Sequence, residues 1–337
     1  MERQNAERRT TGETRLIADI GATNARFALV QADGTATNPS LFALDDYAGI
    51  ADAITAFLTE QHLPTNPSVA ALAIAAPVIS DQVRMTNHPW TFSIDGLRRQ
   101  FNFKRLHVIN DLTAQALAIP QLTEGDRISI GKGSPVSDTP VGIIGPGTGL
   151  GVSALIPSEG GAIPIRGEGG HVTMAPADDR ESAVLDRIRQ RYDHVSAERV
   201  LSGPGLINLY NALCELSGVP SAALTAAEIS SERMGQEDAH ARDATAMFCA
   251  MLGTVASNLA LTLGARGGIY IVGGIVPKLG PFFARSRFRE RFEAKGRFRT
   301  YLEAIPTYVV TRPLPALLGA ATLLQNPRGS GAASSAG

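Results

Sequence analysis

The amino-acid sequence predicts an α/β protein built from two related halves. Apolar strands alternate with helical segments over most of the 337 residues, which is the pattern of α/β domains. The stretches 16–30 and 141–155 share one design: an apolar strand, a small-residue turn containing threonine, and a second apolar strand. An offset of 125 residues aligns Thr23 with Thr148. Two such hairpins, each opening an α/β section, indicate halves that face each other across a cleft.

The first half shows clear alternation. Val69–Ala76 is a continuous apolar run, as expected of a buried parallel strand. Asp45 or Asp46 can cap the first helix, and Ser93 the second. In chain order, the predicted strands are Arg15–Ile20, Ala25–Val30, a segment near Thr35–Leu44, Val69–Ala76 and Leu106–Ile109; the predicted helices are Tyr47–Gln61, Ile94–Phe101 and Leu112–Ile119.

The second half begins with the second hairpin and then becomes mainly helical. Its clearest helix is Ala-rich and is closed by the glycines that follow Leu263. In chain order, the predicted elements are the strands Val141–Ile144 and Val152–Ile156, the helix near His240–Leu263, the strand Ile269–Val272 and the helix Leu317–Gln325.

Composition excludes several classes of protein. Lys and Arg number 31 against 32 Asp and Glu, a net charge of −1, which does not form the broad basic footprint of a nucleic-acid binder. The two cysteines, Cys214 and Cys249, lie 35 positions apart and predict buried thiols. The polar N-terminus does not fit a secretory signal, and glycine, proline or a charge breaks each apolar run well before the ~18 residues of a spanning helix. We therefore expect a cytoplasmic protein with disordered tails at 1–13 and 328–337.

The two hairpin turns are candidate phosphate sites. Small residues let backbone N–H groups approach an anion closely, and Thr23 and Thr148 each add a hydroxyl donor. The spacing is neither that of a Walker loop nor that of a dinucleotide-binding turn. An ordinary tight hairpin is the alternative for either turn. Asp19, just before the first turn, can hold Mg²⁺ directly or through water, or can simply cap the turn.

Asn110 and Asp111 follow a buried strand and precede a helix. Ligands of α/β sheets lie at the carboxyl ends of strands, and an aspartate there can accept the proton of an attacking hydroxyl. Local sequence leaves a second interpretation open, in which Asp111 is the N-cap of the following helix.

A third candidate site combines a loop and a later acidic residue. Glu168 and His171 stand among three glycines, which argue against a helical metal pair. A loop that presents an acceptor and an imidazole fits recognition of a polyhydroxyl ligand better. Glu198 can add an acceptor or can be a solvated helix residue. Gly273 and Gly274, after an apolar strand, can form a flat surface for a purine, or only a loop.

Together these motifs resemble the bacterial glucokinase family, within the hexokinase/actin-like superfamily of two-domain ATPases. The similarity runs from about residue 16 to 325 and therefore covers nearly everything but the tails. Six segments carry it in the family's order: Ala18–Arg26, Thr86–Trp90, Ile109–Asp111, Gly145–Gly151, Gly167–Val172 and Ser196–Gly203.

The resemblance implies a fold, an activity and roles for single residues. The fold is an actin-like (ribonuclease H-like) ATPase with a central cleft, a small domain at 14–121 plus 314–327 and a large domain at 122–313. The activity is transfer of the γ-phosphoryl group of ATP to the 6-hydroxyl of D-glucose, with Mg²⁺, in a cytoplasmic homodimer. Asp111 is the implied base. The implied sugar ligands are Asn110, Asp111, Glu168, His171 and Glu198; the implied nucleotide contacts are Ala18, Asp19, Ile20, Gly21, Ala22, Thr23, Gly147, Thr148, Gly149, Gly273 and Gly274.

One position departs from the family pattern. Ala22 stands where glucokinases often have glycine, and we expect it to lie in an allowed backbone region. The Cys-rich zinc loop and helix-turn-helix of the related repressors are missing from the sequence. Three alternatives remain: a kinase for another hexose or an aminosugar, a non-catalytic sugar-binding regulator, and an actin-like ATPase without a sugar substrate.

Overall fold

A computed structural model describes residues 14–31, 34–159 and 161–325. The predicted disordered tails, 1–13 and 328–337, lie outside these residues. The chain divides into two compact units. Unit 1 comprises Met1–Gln121, Ser158–Pro164 and Pro313–Gly337, and unit 2 comprises Leu122–Pro157 and Ile165–Arg312. This division places residues 158–164 with the unit that contains the predicted small domain.

Unit 1 is built on a five-stranded sheet in the order β3-β2-β1-β4-β7. Strand β1 pairs antiparallel with β2 and parallel with β4, and β4 pairs parallel with β7. The parallel strands read as apolar runs because both of their faces are covered. The strands are β1 (Arg15–Ile20), β2 (Asn24–Val30), β3 (Ser40–Ala43), β4 (Val69–Ile74) and β7 (Arg105–Asn110), with a separate hairpin of β5 (Gln82–Arg84) and β6 (Thr91–Ser93).

The helices of unit 1 come from both ends of the chain. Ser93 caps the second helix, as predicted, by accepting a hydrogen bond from the Gly96 amide. The predicted start of the first helix is wrong: Asp45 and Asp46 belong to a short 3-10 turn, and Gly49 is the N-cap. The helices are α1 (Ile50–Glu60), α2 (Ile94–Gln100), α3 (Asp111–Ala118) and α13 (Pro315–Gln325).

A close crossing joins α3 to α13. An ideal Cβ placed on Gly319 would lie 1.7 Å from the Ala114 carbonyl oxygen, so only glycine permits this approach. Residues from the far end of the chain therefore complete the layer that carries Asp111.

Unit 2 is built on a six-stranded sheet in the order β11-β10-β9-β12-β13-β8. Strand β9 pairs antiparallel with β10 and parallel with β12, and β12 pairs parallel with β13. The strands are β8 (Arg127–Ser129), β9 (Val141–Pro146), β10 (Leu150–Ser158), β11 (Gly161–Gly167), β12 (Ile269–Ile271) and β13 (Thr307–Val310).

Most of unit 2 is helical. Its longest helix, α8, begins after the side-chain cap of Asp238 and ends at Gly264 in the left-handed region, φ 61°. The helices are α4 (Asp179–Arg189), α5 (Gly203–Leu216), α6 (Ala226–Ile229), α7 (Glu232–Glu237), α8 (Ala239–Leu263), α9 (Ile275–Leu279), α10 (Pro281–Arg285), α11 (Phe288–Glu293) and α12 (Arg299–Glu303).

Helix α8 passes a length and composition test for a membrane span, the only helix among the described residues to do so. However, 67% of its most apolar window is buried inside the protein. Its side chains, including Phe248 and Met251, belong to the core of unit 2. A core helix passes the same test, so this feature is weak evidence for a membrane.

The two sheets repeat one topology, which confirms the duplication predicted from the hairpins. In each sheet an antiparallel hairpin supplies the central strand, and two parallel strands follow on one side. Thus β1, β4 and β7 correspond in order to β9, β12 and β13. Because the sheets share this plan, their hairpin turns and the carboxyl ends of their parallel strands occupy equivalent places.

Candidate functional site

Asp111 lies where β7 passes into α3. The Asn110 side chain is the N-cap of this helix: its Oδ1 accepts hydrogen bonds from the amides of Leu112, at 2.9 Å, and Thr113, at 3.3 Å. Asp111 is therefore the first helical residue, and the interpretation that it is the N-cap is wrong. Its Oδ1 accepts a second interaction from the Leu112 amide at 2.8 Å. The carboxylate is thus held in place while capping is left to Asn110.

The capping role limits what Asn110 can offer a ligand. Its Oδ1 is occupied, and its Nδ2 donates to the Ala76 carbonyl at 3.3 Å. The Asn110 side chain also hydrogen-bonds to the Asp111 carboxylate, which opposes the rise in the pKa of Asp111. Asn110 can therefore donate to a ligand at this strand end only by exchanging one of these partners.

Two half-buried carboxylates lie at one edge of the unit 1 sheet. Asp19 is near the end of β1, and Asp111 follows β7, with β4 between them. Burial, and then the negative charge of Asp19, raise the pKa of Asp111 to about 6. Burial also raises the pKa of Asp19, and the positive charge of Arg26 opposes that rise. A carboxyl group with a pKa near 6 is mostly ionised at neutral pH and more basic than an ordinary aspartate, and is therefore a capable proton acceptor.

The first hairpin turn connects β1 to β2. The Gly21 amide donates to the Asn24 carbonyl at 2.9 Å, which closes the turn. Ala22 does not have a positive φ, so the expected allowed conformation is confirmed and Ala22 costs no backbone strain. Thr23 is exposed, whereas Ala18 and Ile20 are fully buried in β1. In this segment the turn and the half-buried Asp19 present surface to a ligand, whereas the side chains of Ala18 and Ile20 do not.

The segment Thr86–Trp90 supports this turn indirectly. Trp90 Nε1 donates to the Tyr47 carbonyl at 3.2 Å, and His88 Nε2 lies 3.3 Å from Asp45 Oδ1. The adjacent Leu44 amide donates to the Thr23 carbonyl at 2.9 Å. The segment Thr86–Trp90 therefore holds residues 44–47, which lie behind the first turn.

The second hairpin turn, Gly147–Gly149, connects β9 to β10 in unit 2. The Gly147 amide donates to the Gly149 carbonyl at 2.8 Å, and the Gly203 amide at the start of α5 donates to the Gly147 carbonyl at 2.8 Å. A Cβ on Gly147 would meet nothing within 4 Å. The turn therefore has free space on its outer face and a helix N-terminus beside it, an arrangement that favours an anion.

Glu198 lies against this turn, a contact that the sequence did not predict. Its Oε2 accepts a hydrogen bond from the Leu150 amide at 2.9 Å. A Cβ on Gly149 would come within 2.5 Å of the same oxygen. Sequence separation of 48 residues hides the contact, and no local signal could have found it.

The glycine-rich loop places Glu168 and His171 side by side on the surface of unit 2. Residues Gly169–His171 form one 3-10 turn, in which the His171 amide donates to the Glu168 carbonyl at 3.0 Å. Both side chains are exposed. Within the described ranges, no group of three or more His, Cys, Asp or Glu could hold a metal ion.

Gly273 and Gly274 lie between β12 and α9. Gly273 has φ +86°, and its Cβ would lie 2.5 Å from the Pro146 carbonyl oxygen, whereas a Cβ on Gly274 would lie in open space.

A cavity of about 540 Å³ lies in unit 2, partly against α9. The sequence analysis did not predict this cavity, because the residues that line it come from segments far apart in the chain. Its lining includes the basic residues Arg242, Lys278 and Arg285, the acidic Glu232 and the apolar Leu279 and Phe282.

Two α/β units with one topology, each with a small-residue hairpin turn, define an actin-like ATPase fold, and comparison with known proteins agrees. A model of the glucokinase family matches residues 16–327. The chain belongs to the glucokinase family.

Individual relatives support this assignment. The glucokinase of Aromatoleum aromaticum is 53% identical over 313 residues, covering 93% of this chain and 95% of that one. The glucokinase of Paramagnetospirillum magneticum is 49% identical over 314 residues, covering 93% and 98%. Among solved structures, a glucokinase from an Antarctic psychrotroph superimposes with a TM-score of 0.84 at 36% identity, covering 93% of this chain and 99% of that chain.

Proposed function

We propose that this protein transfers the γ-phosphoryl group of ATP to the 6-hydroxyl of D-glucose, with Asp111 as the general base. The observation that carries the proposal is the state of Asp111: fixed at a strand end, relieved of capping by Asn110, and with its pKa raised to about 6. Membership of the glucokinase family makes glucose the expected sugar.

The residues of unit 2 are proposed to bind the sugar. Glu168, His171 and Glu198 offer carboxylate acceptors and an imidazole, which suit the paired donors and acceptors of a sugar ring. In unit 1, the Asn110 amide is proposed to donate to a hydroxyl beside the one that Asp111 deprotonates, in exchange for one of its present partners. Positioning of the 6-hydroxyl by these groups, more than covalent chemistry, is expected to supply the rate.

The two turns are proposed to bind the phosphates of ATP. The Gly21 and Gly147 amides close the turns, so the other turn amides and the hydroxyls of Thr23 and Thr148 are proposed to face the charge that develops on the transferred group and on ADP. The predicted contacts of Ala18 and Ile20 can occur only through backbone at the strand end, because both residues are fully buried. Gly273 and Gly274, with the neighbouring 540 Å³ cavity, are proposed to receive the nucleoside.

The donor set around Asp19 fits Mg²⁺. This ion takes one or two carboxylates and keeps several waters, and the part of the chain that the structure describes has no cage of three or more candidate ligands. Asp19 is therefore proposed to hold Mg²⁺, directly or through water. When bound, the ion would neutralise negative charge on the phosphates.

A coupled assay of ADP formation tests the proposal. Glucose-dependent ADP release, with the highest kcat/KM for glucose among glucose, mannose, fructose and N-acetylglucosamine, is expected. Substitution of ATP by polyphosphate or ADP tests the phosphoryl donor. A higher kcat/KM for N-acetylglucosamine than for glucose would change the assigned substrate. ADP formation without glucose would indicate an ATPase, and glucose binding without ADP formation would indicate a non-catalytic regulator. Cytoplasmic location and a homodimer remain predictions, the latter testable by sedimentation.

A further inference from the structure

Leu150 directly follows the second turn and contacts two segments of unit 2 that carry proposed sugar ligands. Its amide donates to Glu198 Oε2 at 2.9 Å. Its carbonyl lies against the glycine-rich loop, because a Cβ on Gly170 would come within 1.9 Å of that oxygen. One peptide segment directly after the turn therefore touches both Glu198 and the loop that carries Glu168.

Hydrogen bonds fix the segment that presents Glu198. The Ser202 hydroxyl donates to the Glu198 carbonyl at 2.8 Å, and the Ala197 amide donates to the Val172 carbonyl at 2.8 Å. The next residues reach the turn again, through the bond from Gly203 to Gly147. The Glu198 carboxylate is therefore held against the turn by a braced backbone, and the missing side chain of Gly149 leaves space for it.

The two oxygens of this carboxylate differ in their partners. Oε2 binds the Leu150 amide, whereas Oε1 has no hydrogen bond to any described residue. A ligand can engage Oε1 without displacing Oε2. The carboxylate can thus accept a hydrogen bond from the Leu150 amide and another from a sugar hydroxyl at the same time.

We propose that Glu198 positions the nucleotide-binding turn as well as binding sugar, and so couples the two substrates. Oε2 fixes the Leu150 amide and hence the conformation of residues 147–149, while Oε1 accepts from a sugar hydroxyl. This inference rests on the proposed function of the site. Because coupling of binding is reciprocal, a sugar that orders Glu198 tightens nucleotide binding, and nucleotide tightens sugar binding to the same extent.

Binding of Mg-ADP to the full chain in the absence of sugar tests the proposal by calorimetry. E198A removes the acceptor, and we expect its Mg-ADP affinity to fall about tenfold, the size expected for loss of one charge-assisted hydrogen bond. E198Q keeps an oxygen acceptor at the same position, and we expect it to remain within about threefold of the wild type.

H171A is the matched control, because His171 is a proposed sugar ligand whose side chain does not touch the turn. Glucose affinity should fall in H171A while sugar-free Mg-ADP affinity stays at the wild-type value. The glucose-induced gain in Mg-ADP affinity should be lost in E198A. If E198A does not fold, E198D replaces it, since its carboxylate is one methylene shorter and falls short of the Leu150 amide.

Wild-type Mg-ADP affinity in folded E198A or E198D would overturn the positioning role. Glucose-dependent turnover measured on the wild-type protein separates this result from failure of the proposed function. A protein that phosphorylates glucose but shows no effect of Glu198 on sugar-free nucleotide binding would lose only the coupling.

Discussion

The charge on Asp19 raises the pKa of Asp111 because both carboxylates lie at the carboxyl ends of strands in one sheet. Each is also partly withdrawn from water, which disfavours the ionised form. The fold therefore sets the basicity of the proposed catalytic group by two independent means, burial and a like charge. Both can be changed by single substitutions.

Asp111→Asn should abolish most activity while preserving the fold. Asn cannot accept the proton of the 6-hydroxyl, and loss of a general base costs about 10²- to 10⁴-fold. The amide oxygen can still accept from the Leu112 amide, so the start of α3 should form. Steady-state kcat, with glucose binding measured in parallel, checks this prediction. Near-wild-type turnover by a folded variant would contradict the assignment of the base.

The same substitution should stabilise the protein at neutral and higher pH. The pKa of Asp111 is raised from 3.8 to about 6, so the folded state binds the proton more tightly than the unfolded state. Stability contributed by this group is full below pH ~4 and is lost as pH rises through about 6. At pH 8, Asp111→Asn should gain up to about 3 kcal/mol, at 1.36 kcal/mol per pKa unit. Denaturant unfolding at pH 8 and pH 4 checks the prediction: the gain should vanish at pH 4.

The decrease of kcat/KM on the acid side of its pH profile (the acid limb) should follow the ionisation of Asp111. Because the base must be ionised, kcat/KM should fall below pH about 6. Asp19→Asn removes the neighbouring charge and should lower the pKa of Asp111, which moves this limb to lower pH. Asp19→Asn should also weaken the dependence of activity on Mg²⁺. An unchanged acid limb would mean that Asp19 does not influence the base.

Gly319→Ala should destabilise unit 1. The new methyl group would lie 1.7 Å from the Ala114 carbonyl oxygen, so α13 must move away from α3, at a cost of about 1–3 kcal/mol or more. Gly235→Ala in α7 is a matched control, because Gly235 is also helical and the nearest atom to its new Cβ is 4.0 Å away. Thermal unfolding of both variants checks the prediction. Equal stability of the two would contradict the close crossing.

A buried ion pair in unit 2 gives an independent stability test. Arg291 Nη2 lies 2.8 Å from Glu181 Oε1, and both side chains are less than one-tenth exposed. Glu181→Ala leaves the guanidinium buried without this partner and should cost about 3–5 kcal/mol. Glu293→Ala, which removes a partner of the more accessible Arg289, should cost less. Denaturant midpoints of the two variants, compared at one pH, measure the difference.

The sequence predicted most of the architecture because apolar periodicity and small-residue turns are local signals. Strand β1 has the predicted bounds. The similarity of the two hairpins, 125 residues apart, correctly predicted two sheets with one topology. The first helix was misplaced because an aspartate is also favoured in short 3-10 turns, and Asp45 and Asp46 form one.

The chemistry of the site was less accessible to sequence. Local pattern could not distinguish a capping Asp111 from a catalytic one, because both follow a strand and precede a helix. The structure separates them by giving the cap to Asn110. The contact between Glu198 and Leu150 and the cavity beside Lys278 depend on tertiary packing. Neither has a signal in the local sequence.

The crossing of α13 over α3 also sets an order of events during synthesis on the ribosome. Asp19 and Asp111 are made early, yet their unit lacks its last helix until residues 315–325 have emerged. Residues 122–312 contain all of unit 2 and are complete before that point. Unit 2 can therefore fold first, although its chain begins later, and the nascent unit 1 keeps an open face until α13 has been made.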